Sequence, residues 1–522
     1  MEVKRGDVFQ RVGQVSPGRS VFNLSYEKKF TCDMGQLIPV MCDEVVPGDI
    51  WHIGNQAVVR FQPLVAPIMH EISMIVHYYY VPYRLLWPTV KEWSGEPEER
   101  VLTVTGWESY ITGGENGADA QSVPEWIPTS TALGTLWDYF GFPTGVTPTG
   151  LFPVDFPRRA YNFVWNEYYR DQDLQDEVEW TNEDVLYSAW EKDYFTTARP
   201  WQQKGTAPSL PVSGMTKAVW DDASFAVSSA HTVAHFADGG GDYRLYTTSA
   251  GGTANAKGFF AANEVDLSLA TTFDVSDLRI AFQIQKWLER NARAGTRYTE
   301  FLRAHFGVSP RDDRLDRPEY IGGSRTPIII SEVLQTSEDG ETPQGNLAGH
   351  GIAVSDSYCG RYRVQEYGLI LGIMKVVPRP AYQQGIDRQW IKKSKYDFYF
   401  PEFANLSEQE VYKGEICVVS GDGTHNQSLF GFQGRYNEMR FKSNQVCGQM
   451  RTIYDYWHLS RQFDATSSVT APVLNDEFIK CVPRKDVFAA PSEPAMIISF
   501  GNLLKAIRPI PVQSEPGLID HV

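Results

Sequence analysis

The chain is 522 residues long, with 42% hydrophobic and 13% aromatic residues and only 21% charged ones. That composition supplies a large core and excludes a disordered chain, which needs low hydrophobicity and high net charge. A net charge of −16 also argues against a free-standing nucleic-acid binder, because neutralising phosphates takes a surplus of Lys and Arg.

Residues 1–30 read as an N-terminal arm, locally basic, with Lys4, Arg5, Arg11, Arg19, Lys28 and Lys29 against Glu2, Asp7 and Glu27. Lys4, Arg5 and Arg11 are candidate DNA-facing residues, with a solvated surface arm as the alternative. MEVKRGDVFQ has no apolar core, so a secretory signal is not expected. The run Asp43 to Asp49 is a turn, with Pro47 where φ near −65° is wanted and Gly48 where positive φ is cheap. After it, Ala57 to Phe61 is a short strand-like run. Ile72 to Val81 then alternates, with Ile72, Met74, Val76, Tyr78 and Tyr80 on one face. Pro63, Pro67 and Pro82 bound these runs, where a missing N–H does least harm.

A helix is predicted over roughly Pro157 to Asp173, with Pro157 in its first turn. Its Tyr161, Trp165, Tyr168 and Tyr169 either pack against a neighbour or stack on bases. Residues 205–265 change character: small and turn-forming residues dominate, so this reads as an inserted surface loop. From Asp277 to Ala294, Leu278, Ala281, Ile284, Leu288 and Asn291 recur at helical spacing, with Gly295 as a stop signal. Leu369 to Val377 is apolar on both faces, as in a strand buried within a sandwich, and is too short to span a bilayer. Arg388, Lys392, Lys393 and Lys395 surround Trp390 and Tyr396, a mixture able to grip single-stranded nucleic acid, with a salt-bridged or solvated strand end as the alternative. Glu410 to Ser420, Phe478 to Val482 and Ala495 to Phe500 are strand-like. Late strands returning to pair with early ones are what a jelly roll requires.

Catalytic constellations are sparse. His231 and His235 form H-x-x-x-H, but Thr232 stands where a metalloprotease has its Glu. His70 and His77 fall in the strand region on opposite faces. The acidic pairs Asp221-Asp222 and Asp312-Asp313 read as solvated carboxylates, with glycoside hydrolysis or calcium binding as the alternative. Cys32, Cys42, Cys359, Cys417, Cys447 and Cys481 include no C-x-x-C pair, so free thiols and a reducing place of synthesis are expected. No catalytic, cofactor or metal site is assigned.

GQLIPVMCDEVVPGD (35–49), RFQPLVAPIMHEI (60–72) and VHYYYVPYRLLW (76–87) resemble the major capsid protein of the Microviridae, small single-stranded DNA bacteriophages. The likeness continues in WNEYYRDQDLQDEV (165–178), LRIAFQIQKWLERNARAGTRYTEFLRAHFGV (278–308), RPEYIGGSRTPI (317–328) and TPQGNLAGHG (342–351). The resemblance implies a mainly β fold: an eight-stranded antiparallel viral jelly roll, a β-sandwich with long loop insertions and a helical insertion at 277–306. It implies one capsid domain over 1–522 and a non-enzymatic role. About sixty copies would form a T=1 shell around a circular single-stranded DNA genome, with a small basic DNA-binding virion protein as partner. In the gokushovirus branch an insertion at the place of 205–265 projects as a threefold spike, where a host receptor would be met. The virion is the expected location, after synthesis and assembly in the bacterial cytoplasm. The competing classes are a carbohydrate-binding β-sandwich module and a glycosidase.

Overall fold

The computed structural model describes residues 18–88, 90–93, 102–112, 122–208, 218–219, 233–237, 243–247, 264–265, 275–294, 297–309, 311–334, 347–404, 406, 408–466 and 471–513. Lys4, Arg5, Arg11, His231 and the Asp221-Asp222 pair lie outside these residues. The chain divides into two compact units, Gln203–Asn291 and the remainder.

The larger unit is built on nine strands: β1 (Ser20–Asn23), β2 (Tyr26–Cys32), β3 (Ile38–Val45), β4 (Ile50–Phe61), β5 (Ile72–Pro82), β6 (Glu319–Leu334), β7 (Leu347–Arg363), β8 (Gly368–Pro378) and β9 (Met496–Arg508). They pair antiparallel along an eight-strand path, β1-β9-β4-β7-β6-β5-β8-β3, and β2 also lies on β9. Two features curl this path into a sandwich. Strand β6 changes partner along its length, pairing with β5 over Glu319–Ile328 and with β7 over Ile329–Leu334. At the other margin β2 leaves β9, and after five residues the chain continues as β3 on β8. This is the expected jelly-roll β-sandwich, with the last strand returning to the first ones.

The alternation in β5 decides what each sheet face buries. Ile72, Met74, Val76, Tyr78 and Tyr80 point into the inner core, where they meet Ile370, Met374 and Val376 of β8, Ile53 and Val59 of β4, and Ile498 and Phe500 of β9. Each such side chain contributes roughly 1.5–3 kcal/mol when removed from water. Leu369, Leu371 and Ile373 use the opposite face of β8, as the doubly apolar run predicts. They belong to a second core with Trp126, Trp137, Phe156, Tyr161 and Trp165 from the insertion between β5 and β6. One sheet of the sandwich is therefore covered on its outer face.

Helix α1 (Phe156–Val164) carries that cover. Pro157 sits in its first turn, and Asp155 binds Arg158 at 2.6 Å and Arg159 at 2.7 Å. It ends earlier than predicted: the chain passes into a π-helical turn at Trp165–Tyr169 and leaves it at Arg170. Tyr161 and Trp165 are buried in the second core and Tyr168 and Tyr169 pack on it, so these aromatics pack rather than stack on bases.

Four strand expectations change. Ala57 to Phe61 is the end of a strand starting at Ile50, and Ala495 to Phe500 opens one running to Arg508. The polar interruptions are inward-facing Asn55 and Asn502, register partners that are fully buried and bonded to Ser324 Oγ (2.9 Å) and Val40 O (2.9 Å). Glu410 to Ser420 is strand only within Glu408–Tyr412, because the chain turns at Lys413–Glu415. Phe478 to Val482 is not a strand. Asn475 Oδ1 caps a single helical turn, Asp476–Ile479, by accepting from Phe478 N at 3.0 Å. Phe478 and Ile479 then fill a third core with Tyr194, Tyr382, Ile416 and Phe430.

In the smaller unit Ala218–Val219 pairs with Glu264–Val265 and Val233–Ala237 with Tyr243–Thr247, both antiparallel. The sequence predicts only loop there. The helix Val275–Ala294 matches its predicted span, and Tyr298–Phe306 follows it as a second helix.

Candidate functional site

Two surfaces of the larger unit bring chemistry-bearing residues together. The first lies over the third core. Single 3-10 turns at Arg388–Trp390, Lys395–Asp397 and Pro401–Phe403 present their side chains outward. The turns are held locally: Asp387 Oδ1 accepts from Gln389 N at 3.1 Å, and Asp397 Oδ2 from Ser394 N and Lys393 N at 2.8 and 3.0 Å. Those backbone donors, Ser394 first, hold the Asp397 carboxyl below its usual range. Further bonds tie the strip to the 435–441 turn: Arg435 to Tyr396 O (2.6 Å) and Tyr436 Oη to Phe398 O (3.0 Å).

The sequence-predicted cluster is thus on one surface, and its members differ in what they touch. Arg388 Nη1 binds Glu415 Oε1 at 3.1 Å and its guanidinium lies 4.6 Å from the Tyr412 ring centre. Lys392 and Lys395 lie over Phe398 and Tyr396, at 5.5 and 5.0 Å. Trp390 is 76% exposed and Phe441 59%. Both stand at a cavity of about 260 Å³ whose walls include Tyr194, Tyr382, Gln383 and Glu415.

Glu415 is the unusual group in that wall. It is 3% exposed, and burial pushes its carboxyl up to about 7 despite Arg388. Oε1 accepts from Arg388 and from Tyr412 N at 2.9 Å, while Oε2 is buried without a hydrogen-bond partner. Gln383 Oε1 is a second unpartnered acceptor. Between pH 4.5 and about 7 the folded protein holds a proton that the unfolded chain has released. The corresponding stability is fully present below pH 4.5 and is lost as the pH rises through 7. Glu415→Gln is expected to flatten the dependence of the denaturation midpoint on pH across that window. Parallel profiles for the two proteins would show that another group titrates.

The second surface is the outer face of the other sheet. Rows of paired residues, Lys29–Ser499–Val58, Ile497–Arg60–Ile352 and Lys505–His52–Arg361, point away from the inner core. Lys29, Arg60, Arg361, Arg363 and Lys505 are exposed there, against Glu27 and Asp356. Tyr358 lies among them with its hydroxyl 3.3 Å from His52 Nδ1. This face carries a surplus of positive charge in an acidic chain.

Other polar residues singled out in the sequence are committed to structure. Asp312 pairs with Arg317 and Asp313 with Arg311, at 3.4 and 2.9 Å. His77 meets Tyr169 Oη at 2.9 Å, and burial holds its imidazole down at about 4. His70 precedes β5 and meets Arg379 O at 2.6 Å. Burial pushes the Cys481 thiol up to about 12, far from the thiolate that nucleophilic chemistry needs. Among the described residues no group of three or more His, Cys, Asp or Glu could hold a metal ion, and no helix is long and apolar enough to cross a membrane.

A family model described as "Capsid protein (F protein)" matches residues 11–518. The chain belongs to that family. It is similar along its length to curated capsid proteins VP1: 32% identical to that of Chlamydia phage 1, over 98% of this chain and 97% of the relative. The VP1 of Bdellovibrio phage phiMH2K is 30% identical over 98% and 97%, and that of Spiroplasma virus 4 is 29% identical over 96% and 95%. The protein is a major capsid protein of the Microviridae type, structural and not enzymatic.

In a capsid protein, function resides in surfaces, which makes the exposed aromatic strip and the cationic sheet face the candidate functional surfaces. Sequence reading found the strip through its Trp and Lys content. It missed the cavity, whose walls come from segments as far apart in the chain as Tyr194 and Arg451. One signal was present: Glu415 opens the apolar run Ile416-Cys417-Val418-Val419, a position that asks a carboxylate to be buried. The cationic face was invisible because its charges come from β2, β4, β7 and β9, one or two residues at a time.

Proposed function

We propose that the protein is the subunit of a T=1 icosahedral shell of about sixty copies enclosing a circular single-stranded DNA genome, with the cationic sheet face toward the DNA. The observation that carries this reading is the asymmetry of the sandwich. The insertion between β5 and β6 covers one sheet, while among the described residues the other leaves Lys29, Arg60, Arg361, Arg363 and Lys505 exposed. The basic arm with Lys4, Arg5 and Arg11 runs into β1 and β2 of that same sheet. An overall charge of −16 leaves phosphate for a small basic virion protein to neutralise. The 205–265 segment supports a surface projection at the threefold axes, a place for host attachment.

Expression of the chain alone or with its genome tests this reading. Electron microscopy is expected to show closed particles of one size. Reversal of Arg60, Arg361 and Lys505 to Glu is expected to leave particles that are mostly empty. A chain that stays monomeric or dimeric under every condition would exclude the shell. Full genome content in the charge-reversed particles would exclude the orientation.

A further inference from the structure

We propose that the aromatic strip around Trp390 and Phe441 is a socket for a second copy of this chain, and that the acidic segment Asp176–Asp184 is what it receives. This rests on the shell reading and deepens it, by naming the two surfaces that meet.

The strip has the composition of a contact centre. Trp390 is 76% exposed and Phe441 59%, and large aromatics left in water at a cavity mouth are what interface hot spots use. The cavity is unfinished as a monomer, because Glu415 Oε2 and Gln383 Oε1 are buried with no hydrogen-bond partner. Polar side chains or main-chain groups entering from outside would supply those partners. Beside the cavity the strip is basic: Lys392 and Lys393 line a neighbouring hollow that shares Ile386 and Arg388 with it, and Lys395 lies over the Tyr396 ring.

The complementary charge is elsewhere on the same chain. Asp176, Glu177, Glu179 and Asp184 are exposed on one short loop. The loop is fixed in place by two side chains of the helix behind it. Asn162 Nδ2 donates to Trp180 O and Asn182 O, at 3.1 and 3.0 Å. Asn166 binds Val178 through both its groups, at 2.8 and 3.0 Å. Such a loop meets a partner with little further loss of conformational freedom. Because the two patches differ, the contact is head-to-tail, the kind that closes into rings when repeated around an axis. Opposite charge at the rim sets register and suppresses wrong pairings.

The test is a charge swap read by particle assembly. Lys392→Glu, Lys393→Glu and Lys395→Glu together are expected to lower particle yield at least tenfold, with the subunit's circular dichroism unchanged. Adding Asp176→Lys, Glu177→Lys and Glu179→Lys to the same chain is expected to restore assembly. Independently, Lys393→Cys with Glu177→Cys, in a background lacking the exposed Cys447, is expected to give inter-subunit crosslinks in intact particles. Unchanged yield in the triple reversal, loss that the second set does not rescue, or no crosslink would each overturn the proposal. So would normal particles lacking DNA, which would turn this surface toward the genome. Failure of the unaltered chain to form particles is a different outcome and would overturn the shell reading itself.

Discussion

Gly35→Ala is expected to abolish folding of the subunit at ordinary temperature, a loss above the ~4 kcal/mol that single substitutions seldom exceed. Gly35 lies where the chain crosses from β2 to β3, and so from one sheet of the sandwich to the other. Its φ is +84°, and a Cβ there would lie 1.9 Å from Cys481 O. Backbone on both sides prevents escape. Gly35 N donates to Val376 O at 2.8 Å, Gly35 O accepts from Ser188 N at 2.8 Å, and Cys481 N donates to Ser188 O at 2.8 Å. An added methyl must therefore displace β8, the 188 segment or the 481 segment, each of which belongs to a core. Gly141→Ala is the control, with φ of +87° and open space around the position. It is expected to cost only the conformational strain, about 1–2 kcal/mol. Chemical denaturation of dissociated subunits measures both. Equal midpoints for the two variants would show that the crossing is not built as described.

The same crossing shows what could be read in the sequence and what could not. The inner face of β5 was legible because every second residue there is large and apolar, and β8 because its run is apolar on both faces. The ends of β4 and β9 were not, because Asn55 and Asn502 read as surface residues until their buried partners are known. Phe478 read as strand because local pattern carries no information about a third core built from segments around residues 194, 382, 416 and 430. The change of partner in β6 is likewise invisible, since pairing is a property of two chain segments and periodicity of one. At the surfaces, the residues that cluster in sequence around Trp390 were found. Glu415 and Gln383 were not, because the cavity exists only once the loops meet.

Charge segregation joins these observations to function. A chain of net charge −16 nonetheless gathers Lys and Arg onto one sheet face and onto the aromatic strip, and leaves a compact acidic loop at 176–184. Uniform mixing of the same charges would keep a monomer soluble equally well. Concentrating them gives directional contacts that repeated copies can satisfy, at the cost of exposed aromatics that a lone subunit would not need.

Asp49→Ala is expected to destabilise the subunit by about 3–5 kcal/mol, because it removes a fully buried carboxylate and strips the counter-charge from a partly buried arginine. Asp49 closes the turn after β3, in which Gly48 takes φ of +93° and Asp49 N donates to Val46 O at 3.1 Å. Its fully buried carboxylate accepts from Val46 N (3.2 Å), Trp51 Nε1 (3.1 Å) and Arg508 Nε (3.0 Å), all through Oδ2. Arg508 also lies over the Trp51 ring, 5.1 Å from its centre, and donates to Glu44 O at 2.6 Å. One oxygen thus ties the turn, β4 and the end of β9 together, joining the thirties-to-fifties of the chain to its last strand. Asp49→Asn keeps an acceptor and removes the charge, so its loss is expected to be smaller, about 1–3 kcal/mol. Removing Arg508 as well, as Met, takes away the unpaired charge. The double variant Asp49→Ala with Arg508→Met is therefore expected to be less destabilised than the sum of the singles, with a coupling above ~1 kcal/mol in urea denaturation. Strict additivity would mean that Asp49 acts on the turn alone, and that β9 is held to the sandwich by its ladder and core contacts without it.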